Sequence, residues 1–237
     1  LRSKLLRLIL YINNNYSSLR NLVKTEYYMK KIIPGILAMT LIVVASNILV
    51  QYILFDGWLT WGALTYPLAF LTTDVMNKVY GPSAARKVIF VGFVTGIVCS
   101  LIGTQIVNDF GPLVTLRIAI ASGLGFLTAQ TIDLAIFEKF RQSVWWKAPL
   151  ISSVIGSFVD TAIFFTVAFS LHLSWIEPLN DVSWANELRA LFGFGPQLPY
   201  WIGLGLADYG VKLGLALLAL IPFNLLVKQV NLAKKRV

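Results

Sequence analysis

Four aspartates lie within or at the edge of long apolar stretches of this sequence: Asp74, Asp133, Asp160 and Asp208. An ionised carboxylate in hydrocarbon costs several kcal/mol even on the most lenient insertion scales. Each of these groups therefore needs a basic partner, a bound ligand or a proton. Asp133 and Asp160 are the most informative, because neither has a basic residue within one turn on its own segment. The pattern indicates a membrane protein with a polar interior site.

The other two aspartates have structural alternatives. Asp208 and Lys212 stand four residues apart, in the order that favours an ion pair on one helix face. Such a pair serves either the site or only the packing of its helix. Asp74 lies either in the interior or at the cytoplasmic membrane edge, where Lys78 or Arg86 would pair with it. The sequence leaves these alternatives open.

Amide side chains accompany the carboxylates. Gln130 precedes Asp133 by three residues and shares its helix face, and Arg117 begins the same helix. Asn47 and Gln51 stand four residues apart in the first apolar run. These amides are either interhelical hydrogen-bonding groups or part of the site.

The chemistry of such a site suits a flat heterocycle that bears an amide. A carboxylate offers two acceptor oxygens to adjacent N–H donors, as on the edge of a guanine-like ring, and an amide both donates and accepts. Burial favours the neutral form of a carboxyl group, so an aspartate could instead carry a proton through a transport cycle. Aromatic side chains that would stack on a ring, or only pack in the membrane, are Trp61, Tyr66, Phe137, Phe164 and Tyr209.

Residue types argue against several other chemistries. Cys99 and His172 are the only cysteine and histidine, so we expect neither a disulfide within the chain nor a metal site built on these residues. The phosphate-binding pattern G-x-x-x-x-G-K-[ST] is absent, so ATP would act only through partner proteins. We predict a protein that is not an enzyme and uses no cofactor or metal.

Membrane-spanning helices must position these residues. Hydrophobic residues make up 57% of the 237 positions, charged residues only 13%, and the mean hydropathy is +0.73. Apolar runs that can cross about 30 Å of hydrocarbon predict an all-α bundle of six helices, at 33–54, 58–76, 88–107, 113–136, 150–171 and 201–227. Pro67 lies near the middle of the second run and predicts a kink or break there.

Basic residues predict the orientation of the bundle. Most of the 20 lysines and arginines precede helix 1, follow helix 6, or lie in the loops after helices 2 and 4. The positive-inside rule then places both termini in the cytoplasm. This topology explains the net charge of +9, and nucleic-acid binding is a poor explanation because the charges are dispersed.

Three segments are expected along the chain. Residues 1–32 form a basic cytoplasmic or interfacial segment, either an amphipathic helix or an upstream extension. Residues 33–228 form the membrane domain, and 229–237 form a basic cytoplasmic tail. The long loop at 172–200 is rich in tryptophan, proline and glycine, which suits an aromatic belt better than an interfacial lid.

Short motifs in and around the predicted spans match a known family. In chain order they are Ala45-Ser46-Asn47, Thr60-Trp61-Gly62-Ala63-Leu64-Thr65-Tyr66-Pro67, Thr73-Asp74, Arg117-Ile118-Ala119, Gln130 with Asp133, Trp146-Lys147-Ala148-Pro149, Asp160-Thr161 and Ala207-Asp208-Tyr209 with Lys212. With these motifs the sequence resembles the queuosine precursor transporter family, also called the vitamin uptake transporter family, over roughly 33–228. Residues 1–28 do not align with the pattern.

The resemblance implies a six-helix inner-membrane protein that imports 7-cyano-7-deazaguanine or a related queuosine precursor. The family is related in fold to the substrate-binding components of energy-coupling-factor transporters, so a similar bundle is expected. The polar positions that match the family pattern are Asn47, Asp74, Arg117, Gln130, Asp133, Asp160, Asp208 and Lys212. Together with Gln51, they are the expected substrate-binding or coupling residues.

Three modes of action are compatible with these features. We favour a transporter that acts alone, by secondary transport or facilitated diffusion, and leave a homodimer open. The alternative is a binding subunit driven by ATPase partners, which dock on small residues four apart in helix 1; here Gly35 is followed by Met39. An intramembrane hydrolase would need Asp133 and Asp160 to share a proton, but no catalytic motif accompanies them. The expected partners are the bilayer and a small-molecule substrate.

Overall fold

The computed structural model describes Glu26 and residues 28–54, 58–65, 67–108 and 111–235 of the chain. The chain divides into two compact units, Leu1–Pro34 and Gly35–Val237, and every candidate site residue belongs to the second. The predicted amphipathic helix in the N-terminal segment lies outside the described residues.

Helices dominate the described part of the chain. In chain order they are α1 (Tyr28–Leu49), α2 (Trp61–Thr65), α3 (Pro67–Tyr80), α4 (Pro82–Gln105), α5 (Leu116–Phe140), α6 (Lys147–Phe169), α7 (Ser183–Asn186) and α8 (Tyr200–Lys235). Five of them, α1, α4, α5, α6 and α8, are long and apolar enough to cross a membrane. The prediction of an all-α protein that crosses the membrane several times is confirmed.

The second predicted span, 58–76, is described on either side of Tyr66, which lies outside the described residues. α2 ends at Thr65 and α3 begins at Pro67. The predicted kink or break at Pro67 therefore stays a prediction. Among the described residues, five helices are of spanning length, and the sixth predicted span is not confirmed.

The ends of the other helices differ from the predicted ends by several residues. α1 ends at Leu49, and the chain then enters a short hairpin, Ile53–Leu54 (β1) with Leu59–Thr60 (β2). Residues 229–235 of the predicted tail continue α8. Two more hairpins join longer elements: Val107–Asn108 (β3) with Gly111–Pro112 (β4), and Leu188–Ala190 (β5) with Gln197–Pro199 (β6).

The loop at 172–200 packs on the helix ends beside it. A 3-10 helix at Leu171–Ile176 and the short α7 follow α6. The ring of Trp184 in α7 lies 5.7 Å from that of Phe169 and 6.3 Å from that of Tyr200. Aromatic contacts therefore join this loop to the end of α6 and the start of α8.

Glycines at the interface of α5 and α6 allow the two helices to approach each other closely. A Cβ atom on Gly125 of α5 would lie 3.0 Å from Asp160 Oδ1, and one on Gly156 of α6 would lie 3.1 Å from Asp133 Cβ. Each helix therefore places an aspartate directly against the backbone of the other. Small residues at helix interfaces permit this approach in membranes.

The C-terminal ends of α3 and α5 cap each other. Arg141 donates to the backbone oxygens of Asn77 and Lys78 at 3.1 and 3.2 Å, and Lys78 donates to the backbone oxygen of Arg141 at 2.9 Å. Glu138 binds the other guanidinium nitrogen at 3.0 Å. We call Lys78, Arg141 and their partners the crossed cap. It satisfies carbonyl groups that a helix end leaves without intrahelical donors.

Candidate functional site

Two carboxyl groups meet where α3, α5 and α6 pack together. Asp74 of α3 is 2% exposed and Asp133 of α5 is fully buried. Their side chains lie within hydrogen-bonding reach of each other. The hydroxyl groups of Ser152 and Ser153 on α6 donate to the two Asp74 oxygens, each at 3.5 Å. We call Asp74 and Asp133 the carboxyl pair.

Neutral polar groups surround the carboxyl pair but do not provide hydrogen-bond donors for all of its oxygens. Thr73 donates to Gln130 Oε1 at 2.7 Å, which links α3 to α5 beside the pair. Among the described residues, Gln130 Nε2 and the side-chain amide of Asn77 have no hydrogen-bond partner, and the Asp133 oxygens have only the contacts with Asp74 and Ser152, which fall short of full hydrogen-bond geometry. Buried polar groups are rarely left unpaired, because each one costs its full desolvation energy. These atoms are therefore available to bind a proton or the polar edge of a ligand.

A second buried cluster links α6 to α8. Lys212 Nζ lies 2.8 Å from Asp160 Oδ2 and 2.5 Å from Asp208 Oδ2. Thr161 donates to Asp208 at 2.8 Å, and Lys212 donates to Thr161 at 3.2 Å. The predicted Asp208–Lys212 pair is confirmed as a contact, and Asp160 finds its basic partner on another helix. We call these four residues the lysine cluster.

A narrow cleft between α3, α6 and α8 joins the two clusters. Asp74, Ser153, Ser157 and Lys212 form its polar wall, and apolar residues such as Phe223 form the remainder. It holds about 330 Å³ of empty space counted to its open mouth, but the space inside is enough for about one water molecule. The helices are therefore closed against each other, with polar atoms from both clusters on the wall.

Three of the predicted site residues lie away from this cleft. Arg117 lies at the opposite end of α5, about 24 Å along the helix from Asp133. Its side chain donates to the backbone oxygens of Val167 and Ser170. Asn47 donates to the Val43 oxygen of its own helix at 2.8 Å. Gln51 was expected in helix 1 but is exposed in the turn after it, because α1 ends earlier. The structure does not bring these residues to the two clusters.

The predicted stacking residues are placed mainly by packing. Phe137 is fully buried with its ring 6.2 Å from that of Phe223. Phe164 contacts two neighbouring phenylalanine rings, and Tyr209 contacts Phe158 edge to face, with ring centroids 5.7 Å apart. Trp61 is 47% exposed. Tyr66 lies outside the described residues.

Several polar residues at these clusters were not singled out from the sequence. They are Asn77, Ser152, Ser153 and Ser157, whereas Thr73 and Thr161 stand in the sequence motifs beside Asp74 and Asp160. Asn77 stands three residues after Asp74 on one helix face, a spacing that could have identified it. The serines carry no such signal, because hydroxyl groups in apolar helices often bond to their own backbone.

Several apolar helices around buried carboxylates and a cleft with a polar wall define a multi-pass membrane protein. A sequence model of the family described as "Putative vitamin uptake transporter" matches residues 60–227. The chain belongs to this family, which is the queuosine precursor transporter family of its relatives.

Curated relatives carry names from the same family. The chain is 32% identical over 187 residues to the "Probable queuosine precursor transporter" of Haemophilus influenzae, a match that covers 74% of this chain and 71% of that one. It is 29% identical over 207 residues to the "Queuosine precursor transporter" of Escherichia coli, with 80% and 85% covered. A Bacillus subtilis relative is 30% identical over 136 residues, with 49% and 58% covered. No solved structure matches the chain.

Proposed function

We propose that this protein imports a queuosine precursor, 7-cyano-7-deazaguanine or a related 7-deazapurine, across the bacterial inner membrane. The observation that carries this proposal is Asp74, which lines a cleft while unpaired amide groups lie behind it. The names of the relatives supply the identity of the substrate. Membership of a transporter family supports transport over catalysis.

The chemistry of the wall fits the guanine-like edge of a 7-deazapurine. One carboxylate accepts from two adjacent N–H groups, which are the ring N1–H and the exocyclic amino group. Gln130 Nε2 and the Asn77 amide are donors for the ring carbonyl oxygen. A 7-deazaadenine has no N1–H and no carbonyl at this edge, so the same wall would reject it.

Entry of the ligand requires the helices around the cleft to separate. The space inside the cleft is far smaller than a purine, and Lys212 holds α6 to α8 through Asp160 and Asp208. We therefore infer alternating exposure of the cleft to the two membrane faces, with both chain termini cytoplasmic as the basic residues predict. The protein acts alone, as a secondary transporter or a facilitator.

Proteoliposomes that contain only this chain test the function. Uptake of labelled 7-cyano-7-deazaguanine without partner proteins is the expected result, and unlabelled 7-deazaguanine should compete while 7-deazaadenine should not. Binding without uptake would instead support a subunit that needs an ATPase partner. Chemical conversion of the base would show an enzyme.

Asp74→Asn tests the role of the wall. An amide has one acceptor oxygen and an NH₂ group that opposes the N–H donors of the ligand, so binding and uptake should be lost. Asp181→Asn is the control, because Asp181 is exposed in the loop at 172–200, where it accepts from the Ser183 backbone N–H. Normal uptake by Asp74→Asn would remove Asp74 from the binding site.

A further inference from the structure

The two members of the carboxyl pair differ in their access to the cleft. Asp74 lines the cleft, whereas Asp133 lies behind it, fully buried against Gly156. Among the described residues, Ser152 and Ser153 donate to Asp74, and the single Ser152 proton is also shared with Asp133 and with the Pro149 backbone oxygen. Two ionised carboxylates in contact at a buried position repel each other strongly, and two serine protons cannot satisfy four carboxylate oxygens.

Charged groups on the neighbouring helices are bound to other partners. Lys212 of α8 lines the same cleft but binds Asp160 and Asp208. The two negative charges of these carboxylates already outnumber its one positive charge. The charged groups near the ends of α3, α4, α5 and α6 are exposed or bound elsewhere: Lys78, Arg86, Lys87, Glu138, Lys139, Arg141 and Lys147. No ion pair to Asp74 or Asp133 forms among the described residues.

We propose that Asp74 and Asp133 share one proton in this closed conformation, and that the proton must be bound before the cleft closes. With the proton on Asp133, its hydroxyl group donates to Asp74, and one of the two negative charges is gone. Asp74 keeps its charge and its remaining lone pairs for the N–H donors of a ligand. The proton comes from water in the open site and returns to water when the site opens again, so only an O–H bond forms and breaks.

In this mechanism Asp133 binds the proton and positions Asp74, and Asp74 contacts the ligand. The identity of the ligand rests on the proposed function. The closed state of the cleft should become less populated as the pH rises, because an ionised Asp133 needs hydration by water that the closed site excludes. In Asp133→Asn, the amide N–H donates to Asp74 as the carboxylic hydroxyl group does. This variant therefore mimics the protonated pair at every pH.

Exchange of labelled base across proteoliposomes tests the proposal. The pH is set equal on both faces and varied from mildly acid to alkaline, with unlabelled 7-cyano-7-deazaguanine inside. Wild-type exchange should fall roughly tenfold for each pH unit once the pair loses its proton. Asp133→Asn should exchange with a flat pH profile and should not accumulate base when a pH gradient is imposed. A flat wild-type profile, or an unchanged slope in Asp133→Asn, would overturn the proposal.

Asp181→Asn is the matched control for the loss of one carboxylate. Hydrogen bonds from the Ser183 side chain and backbone N–H hold the pKa of Asp181 below its usual range, so this group stays ionised throughout the titration. Its variant should keep the wild-type slope. A changed slope would place the titrating group outside the carboxyl pair.

Infrared spectroscopy of the purified protein gives a second measurement that needs no substrate. Wild type should show the carbonyl band of a protonated carboxylic acid, shifted in deuterated water and absent from both Asp133→Asn and Asp74→Asn. Absence of the band from wild type, or its presence in both variants, would contradict the shared proton. If wild type exchanges no base at any pH while the band is present, the transport proposal fails and the shared proton stands.

Discussion

Lys212 contacts carboxylates on two different helices, so its removal takes the cation away from both. Breaking a buried ion pair by removing one partner costs roughly 3–5 kcal/mol, because the other charge remains without compensation. Lys212→Met should therefore lower the thermal stability more than Asp208→Asn, which leaves the bond between Lys212 and Asp160 in place. Thermal unfolding in detergent measures the difference. Equal losses in the two variants would mean that Asp160 does not depend on Lys212.

Arg117 should matter for stability but not for ligand affinity. Its guanidinium caps the C-terminal end of α6 at Val167 and Ser170, and Glu177 accepts from its backbone N–H at 2.9 Å. Arg117→Leu removes the guanidinium donors from the Val167 and Ser170 oxygens, although the Ser170 oxygen still accepts from the Leu173 N–H, and each lost buried bond costs about 1–3 kcal/mol. We expect a lower melting temperature together with an unchanged Kd for the precursor in the folded fraction. A weakened Kd would place Arg117 in the binding site after all.

Some properties of single residues follow from the sequence, and others depend on the fold. Asp133 and Asp160 could be identified as interior residues, because the cost of a charge in hydrocarbon does not depend on the packing of the helices, whereas Asp74 could not be distinguished from a residue at the membrane edge. The partner of Asp160 could not be found, because Lys212 lies 52 residues away and the contact depends on the register of α6 against α8. Asn47 was expected in the site because it matches the family pattern, and in the structure its side chain bonds to its own backbone.

Glycines at the interface of α5 and α6 set the positions of two aspartates. A Cβ atom on Gly156 would lie 2.9 Å from Phe70 Cε1 and 3.4 Å from the backbone oxygen of Ala129. Gly156→Ala should therefore push α6 away from α3 and α5, with loss of both stability and uptake. Gly210→Ala on α8 is the control, since its Cβ meets nothing within 4 Å. Alanine is the better helix former there by about 1 kcal/mol, so stability should hold or rise.

The second predicted span shows that the path of the chain is harder to predict than the presence of an apolar run. Hydropathy detects an apolar run of spanning length, and Pro67 predicts an interruption within it. The run does not reveal that the chain before Pro67 turns back as the β1–β2 hairpin and a five-residue helix. That turn depends on contacts with distant elements, such as Ser46 Oγ to Thr65 Oγ1 at 3.0 Å. Local sequence carries no record of such contacts.

Opening and closing of the cleft can be followed on the whole molecule with one reporter thiol. Cys99 is the only cysteine, so Cys99→Ser gives a background on which Ser157→Cys places a single thiol in the cleft wall. Ser157 is 2% exposed in the closed conformation, and its thiol should react slowly with a water-soluble maleimide. Precursor should slow the reaction further by stabilising the closed state. A reaction as fast as that of an exposed cysteine at Ser183 would mean that the protein is open at rest.

The crossed cap determines which part of the molecule is free to move. Three hydrogen bonds join the ends of α3 and α5, and each helix supplies the other with a cation. Because parting these ends breaks all three bonds at once, we expect α3 and α5 to stay joined at the crossed cap while the cleft opens. Arg117 joins the other end of α5 to the end of α6, so these three helices should move as one unit. The cleft would then open between this unit and α8.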